Sequence, residues 1–184
     1  MSDTAKDERQ AKLKRAGELM IPLDQYPHLP YWFTLRQAIA EMHTSEFNIR
    51  GRKSLPRVVL VFDEKYRLLG LVRRRDLLRG LEPSFLANPD VQTDESLLDL
   101  QLAGAFDDDS FDRVVGGIRE RAERPVRDVM LPIVATADYD DNILKLIYVM
   151  VSHNLHLLPV IKDGSVVGVV RTVDVFDEVA QLVL

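Results

Sequence analysis

An α/β fold built from two copies of one small unit is what this sequence predicts, and three observations predict it. The first is a strand, tight turn, strand, helix pattern over residues 155–178. Residues 157–161 form an apolar run of buried-strand length. Asp163-Gly164 is a hairpin signal, because Gly accepts the positive φ such turns need. Residues 166–170 are the return strand, β-branched except for Gly168, and a Gly inside a strand marks close approach of another backbone or a ligand. Asp174 then stands where a helix starts, a favoured N-cap. The second observation is an upstream copy: Gly70-Leu71-Val72-Arg73-Arg74-Arg75-Asp76 matches Gly168-Val169-Val170-Arg171-Thr172-Val173-Asp174. The third is a matched opening, Glu18-Leu19-Met20-Ile21-Pro22 against Asp128-Val129-Met130-Leu131-Pro132. Two anchors in one order make an internal repeat.

Taken in order, residues 3–16 are polar helix formers with almost no apolar face, read as a solvated arm. Pro22, Pro27 and Pro30 break any helix across 22–30. Thr34 caps a helix in which Leu35, Ala38, Ile39 and Met42 make one apolar stripe. Residues 45–57, with Arg50, Arg52, Lys53 and Arg57, read as a basic loop before the strand 58–63. Asp76 opens the helix 77–81, and Arg73-Arg74-Arg75 sits on a strand end, where alternation splits it between faces. Residues 82–124 are a linker with weak helices near 95–103 and 111–123, the second weakened by Gly116-Gly117. Its Asp107-Asp108-Asp109 lacks the alternating ligands of a calcium loop and suits a helix N-terminus. In the second repeat 133–136 is a short strand. Asp140 or Asp141 caps the helix 142–152, apolar on most sides and so buried, and a last helix runs 175–184. No room remains for a catalytic or output domain.

Composition bounds the function. The 184 residues are 46% apolar and 29% charged, as in a water-soluble globular protein. A net charge of −5 argues against nucleic acid, which wants a basic face. The absence of cysteine excludes disulfides and thiolate metal sites. No stretch approaches a membrane span and the N-terminus has no signal-like apolar core, so the cytoplasm is the expected location.

The D-V-M-x-P opening, the L-P-V-I strand and the G-V-V-x-x-x-D close resemble a CBS domain, and two in tandem resemble a CBS pair, or Bateman module, of the stand-alone bacterial type. The resemblance covers residues 17–184 apart from the middle linker. It implies an arm at 1–16, repeats at 17–81 and 125–184 and a helical linker at 82–124. It also implies tandem CBS repeats, each a small three-stranded sheet with two helices, related by a pseudo-twofold and packed through their sheets. CBS pairs usually form disc-like dimers through exposed helix faces, so a homodimer is expected.

A nucleoside needs an apolar slot for its base, carboxylates for ribose hydroxyls and cations for phosphate. On the resemblance, Ile133 and Val134 with Pro159 wall the base. Asp76 and Asp174 accept from ribose, although N-capping alone explains both residues equally. His156 matches a position where His or Arg approaches phosphate, without a clear counterpart in repeat one, and the basic residues of 45–57 lie near the cleft mouth. Where adenosine-binding CBS repeats carry Thr or Ser, both copies here carry Arg: Arg73 and Arg171. Thr172 follows one position later, on the other face by alternation. Two alternatives stand: each Arg suits a more anionic ligand, or it pairs with the Asp of its own motif and fills an empty site.

No nucleophile elbow, phosphate loop, zinc-helix motif or dinucleotide fingerprint is present. His153 and His156 lack an evident carboxylate partner for a metal. The expectation is therefore a non-enzymatic regulatory module needing no cofactor. It senses AMP, ADP, ATP or S-adenosylmethionine and signals to an unidentified regulated protein. The competing reading is a ligand-free dimeric interaction scaffold.

Overall fold

The computed structural model describes residues 13–49, 52–82 and 108–184. Within them ten strands and six α-helices alternate. Strand β1 is Ile21–Pro22, β2 His28–Pro30, β3 Phe47–Ile49, β4 Arg52–Ser54, β5 Val58–Phe62 and β6 Leu68–Arg73. Strand β7 is Leu131–Pro132, β8 Ala137–Asp138, β9 Leu157–Lys162 and β10 Ser165–Arg171. The helices are α1 Ala16–Leu19, α2 Leu35–Thr44, α3 Arg74–Leu81, α4 Asp108–Arg121, α5 Ile143–Ser152 and α6 Thr172–Val183.

The tandem α/β organisation is present, with one addition: the main sheet of each repeat has four strands, and the fourth is donated by the other repeat. One sheet runs β2-β5-β6-β7 and the other β8-β9-β10-β1. Thus Ile21 and Pro22 pair with Val169 and Gly168, while Leu131 and Pro132 pair with Leu71 and Gly70. The repeated Gly is explained by this exchange. A Cβ on Gly168 would overlap the Ile21 carbonyl oxygen, and one on Gly70 the Leu131 carbonyl oxygen. The close approach signalled by the Gly is therefore that of a backbone.

The exchanged segments are also tied to the opposite helices. Ile143 N–H donates to the Lys14 carbonyl at 3.0 Å and Leu35 N–H to the Arg124 carbonyl at 2.9 Å, the same contact in each half. Each sheet buries both faces, which is why β5 reads as unbroken apolar sequence. On one face Val59 and Val61 meet Leu35, Ala38, Met42 and Leu77 under α2 and α3. On the other, Val58, Leu60 and Phe62 meet Leu157, Val169 and Tyr26 between the sheets. Leu158, Val160 and Val170 face α5 and α6 beside Ile143, Leu146 and Val175. The result is helix, sheet, sheet, helix.

Several local expectations change. Residues 45–57 hold two short strands, β3 and β4, paired antiparallel with Phe47 opposite Ser54. No strand forms over 133–136, which instead crosses from β7 in one sheet to β8 in the other. Asn142, not Asp140 or Asp141, caps α5, its side chain accepting from Lys145 N–H at 3.1 Å. Asp76 and Asp174 stand at the third position of their helices, and Arg73 and Arg171 are the N-caps. Arg74 and Arg75 accordingly lie on a helix, not a strand end. Helix α5 has an exposed side. The helix expected near 95–103 lies outside the described residues. Thr34 does cap α2, in a reciprocal box with Gln37.

Candidate functional site

The two Gly-x-x-Arg-x-x-Asp motifs build the same device twice, where a strand of each sheet passes into its helix. The Arg is the last strand residue, so its backbone N–H faces the helix start. That N–H donates to Oδ2 of the Asp three residues on, at 3.1 Å in both copies. The Arg side chain then folds back onto the same carboxylate. Arg73 Nε and Nη2 donate to Asp76 Oδ2 and Oδ1 at 2.8 and 2.9 Å. Arg171 Nε and Nη2 donate to Asp174 Oδ2 and Oδ1 at 2.8 and 2.7 Å. The planar guanidinium fork matches a carboxylate in this bidentate way. The carboxylates are buried, Asp76 1% and Asp174 6% exposed. Each accepts three N–H groups where a carboxylate offers about four acceptor directions.

The two forks differ in their surroundings. The Arg171 side chain is 14% exposed and that of Arg73 37%. Arg171 Nη1 reaches across to the first repeat and donates to Ser54 Oγ on β4 at 3.0 Å. Tyr26, on the segment crossing from β1 to β2, lies nearby; its hydroxyl donates to the Val58 carbonyl at 2.9 Å. Burial pushes the Tyr26 phenol well above its ordinary value, the Arg171 charge opposing and the Asp174 charge adding. This fork is thus a seam between repeats. Ser54 and Tyr26 were missed in the sequence because they come from the other end of the chain; no local spacing marks them.

Thr172 and His156 join this cluster through backbone: Thr172 N–H donates to the His156 carbonyl at 3.0 Å, and both side chains are exposed. Arg74 N–H makes the same contact with the Arg57 carbonyl at 3.3 Å. Arg57 is therefore the structural counterpart of His156 in repeat one, each standing just ahead of the strand that leads the hairpin. Pro159, on β9 opposite Val169, is buried. Ile133 is half-buried on the crossing segment, and Val134 beside it is exposed.

A cavity of about 270 Å³ opens elsewhere, between the crossing segment and the end of α2. Asp24, Glu41 and Glu46 line it with Gln25, Tyr26 and His28, so it presents acids where a phosphate would need cations. Among the described residues no three His, Cys, Asp or Glu groups converge as metal ligands. Among them, too, no helix is long and apolar enough to cross a membrane.

The first fork predicts an acid response. Burial works to raise the Asp76 carboxyl, but the Arg73 side chain and backbone N–H outweigh it and hold it below the usual carboxylate range. A depressed folded-state pKa stabilises the fold above the unfolded value of about 3.9 and ceases to do so as pH falls through the folded value. Urea midpoints should therefore drop as pH is lowered from about 5 to 3. In Asp76→Asn the neutral-pH midpoint should be lower and this acid limb flatter. An unchanged limb would show that the pair does not couple folding to protons.

Comparison with known proteins places the whole arrangement. The CBS-domain family model matches residues 33–83 and 126–181. The chain belongs to the CBS-domain family, carrying two copies. A CBS domain-containing protein of unknown function from Bacillus anthracis shares 18% identity at a TM-score of 0.62, over 97% of this chain and 99% of that one. The crystal structure of CBSX2 in complex with AMP, a protein of Arabidopsis thaliana, shares 17% identity at a TM-score of 0.58, over 91% and 97%. The cytosolic domain of the Mg2+ channel MgtE in complex with ATP shares 21% identity at a TM-score of 0.54, over 94% of this chain and 52% of that one. No curated protein sequence matches the chain.

Proposed function

We propose that this chain is a non-enzymatic regulatory module that senses an adenine nucleotide or related adenosyl ligand and signals to a separate protein. It works as a homodimer in the cytoplasm, away from nucleic acid and membrane. The observation that carries the reading is the Arg171–Asp174 fork with its contact to Ser54. A carboxylate for ribose hydroxyls and a guanidinium for phosphate stand at a seam joining the two repeats. A ligand engaging them would loosen or replace the Ser54 contact and alter how the repeats sit together, the differential interaction a sensor needs. The AMP and ATP held by CBSX2 and MgtE support the ligand class. Asp174, Arg171, Thr172, His156 and Pro159 would form the principal site, with Ile133 and Val134 at its edge. Asp76 and Arg73, with Arg57, would form a second.

The same fork supports a second reading, because each Asp is already satisfied by its own Arg. In that case the clefts are self-occupied and the chain is a ligand-free dimeric scaffold. Thermal melting with AMP, ADP, ATP and S-adenosylmethionine separates the two. A ligand at 100 times its dissociation constant adds about 2.7 kcal/mol of stability. A raised melting temperature in the wild type that vanishes in Asp174→Asn is the expected result. Flat responses to all four, confirmed by calorimetric titration up to millimolar ligand, would leave the scaffold.

A further inference from the structure

We infer that Arg171 is a latch on its own site. Held shut by Ser54 of the other repeat, it opens only to a ligand that offers the Asp174 carboxylate a pair of hydroxyls and the guanidinium a new anion. The inference rests on the nucleotide reading above and adds what the ligand must carry and what keeps the site closed.

The hydrogen bonds at Asp174 require such an opening. Its carboxylate accepts from the Arg171 backbone N–H, Nε and Nη2, and a carboxylate has about four acceptor directions. The two hydroxyls of a ribose need two of them. The backbone N–H is fixed by the start of α6, where Arg171 is the N-cap. Room is therefore made by the guanidinium, which has to swing off the carboxylate.

That movement is opposed from outside the motif. Arg171 Nη1 donates to Ser54 Oγ at 3.0 Å, so with Asp174 all three guanidinium nitrogens are held. Ser54 stands on β4, whose sheet with β3 is separate from the two four-stranded sheets, and it reaches the fork from 117 positions away. Tyr26 and Asp177 also act on the guanidinium charge. A phosphate offers the guanidinium the same bidentate acceptor as the carboxylate it replaces. A ligand with both hydroxyls and phosphate thus exchanges partners with each half of the fork. Adenosine takes the carboxylate and brings no acceptor for Nε and Nη2.

The first repeat has the same fork without the hold. Among the described residues Arg73 Nη1 meets no partner, and the Arg73 side chain is the more exposed of the two. A second cation, Arg79, stands 3.9 Å from the Asp76 carboxylate, which therefore keeps a counter-charge when Arg73 leaves. The motifs are alike in sequence; Ser54 is what closes one of them.

The test compares full-length wild type, Ser54→Ala and Ser54→Thr, which keeps the hydroxyl. One readout needs no ligand: exchange of the Arg171 Nε proton with water, followed by NMR and assigned by the loss of its signal in Arg171→Lys. Exchange should quicken in Ser54→Ala at Arg171 and not at Arg73, and stay near wild type in Ser54→Thr. The other readout is calorimetric titration with ADP, ATP and adenosine. A closed state lowers apparent affinity by the fraction of the protein that is open. Losing one hydrogen bond of ordinary net strength should therefore tighten ATP binding about fivefold. Adenosine should bind wild type about tenfold more weakly than ADP, or worse. An Arg171 exchange rate untouched by Ser54→Ala, an ATP affinity unchanged or weakened in that variant, or adenosine held as tightly as ADP would each overturn the latch. If no variant binds any nucleotide although the exchange rates differ, the nucleotide reading itself fails, and the ligand's part in the latch with it.

Discussion

Asp174→Ala should destabilise the protein by about 3 kcal/mol, measured as a loss in urea unfolding free energy at pH 7. The substitution strips three N–H groups of their acceptor: the Arg171 backbone N–H, Nε and Nη2. It also takes from the Arg171 guanidinium, 14% exposed, the carboxylate that it forks onto in the seam between repeats. Removing one partner of a buried pair is far costlier than removing both, since the survivor keeps its desolvation penalty. The double variant Arg171→Met, Asp174→Leu should therefore recover most of the loss. The matching Asp76→Ala should cost less, because Arg73 is more open to water, which compensates the orphaned charge. Equal losses at the two forks would show that the seam around Arg171 and Ser54 contributes nothing beyond the local helix start.

Gly168→Ala should be of similar size, about 2–3 kcal/mol, at the upper end of what one added methyl costs a packed interior. The Cβ would meet the Ile21 carbonyl oxygen and stand 2.9 Å from Met20 Sδ. Met20 can swing aside; the carbonyl belongs to β1, fixed by pairing with Val169 and Gly168. Relief comes only by lifting β1 off β10, which exposes the edge of β10 and uncouples the first repeat's opening segment from the second repeat. Hydrogen exchange should show faster exchange along 166–170 and at residues 15–22, with the β5–β6 pair least affected. Gly70→Ala should mirror this at β7, where the obstacles are the Leu131 carbonyl and Met130. A global loss of protection in both variants, with no local excess at the exchanged strand, would mean that the glycine serves some other end.

The repeat was readable in the sequence because its anchors are local. Gly168 and Asp174 lie within one strand and one turn of helix, and a spacing that short survives in the sequence as it stands. The cap at Thr34, the hairpin at Asp163-Gly164 and the buried run 58–62 were likewise written in near neighbours. The motif also held the forks, since Arg and Asp three apart across a helix start can meet; sequence alone left open whether the Arg would face its own Asp or a ligand. In the folded chain each Arg lies on its own Asp, and what tertiary structure adds is at the second fork alone: Ser54, brought from β4, meets Arg171.

Where sequence reasoning slipped, distance along the chain explains it. The strand expected over 133–136 became a crossing, because Leu131 and Pro132 were taken by β6 of the other repeat and Ala137 and Asp138 by β9. A two-residue strand such as β7, which pairs with residues 70–71 of the other repeat, leaves no periodicity of its own. The helix 142–152, apolar on most sides, was expected to be buried, and the side that carries Ile143, Leu146 and Met150 is indeed core. Its outer stripe of Leu144, Tyr148 and Val151 is exposed. Local chemistry determined which elements form and where they start. Only the folded chain decided which repeat completes which sheet, and which side of the helix 142–152 was left open, because both depend on contacts that no short stretch of sequence contains.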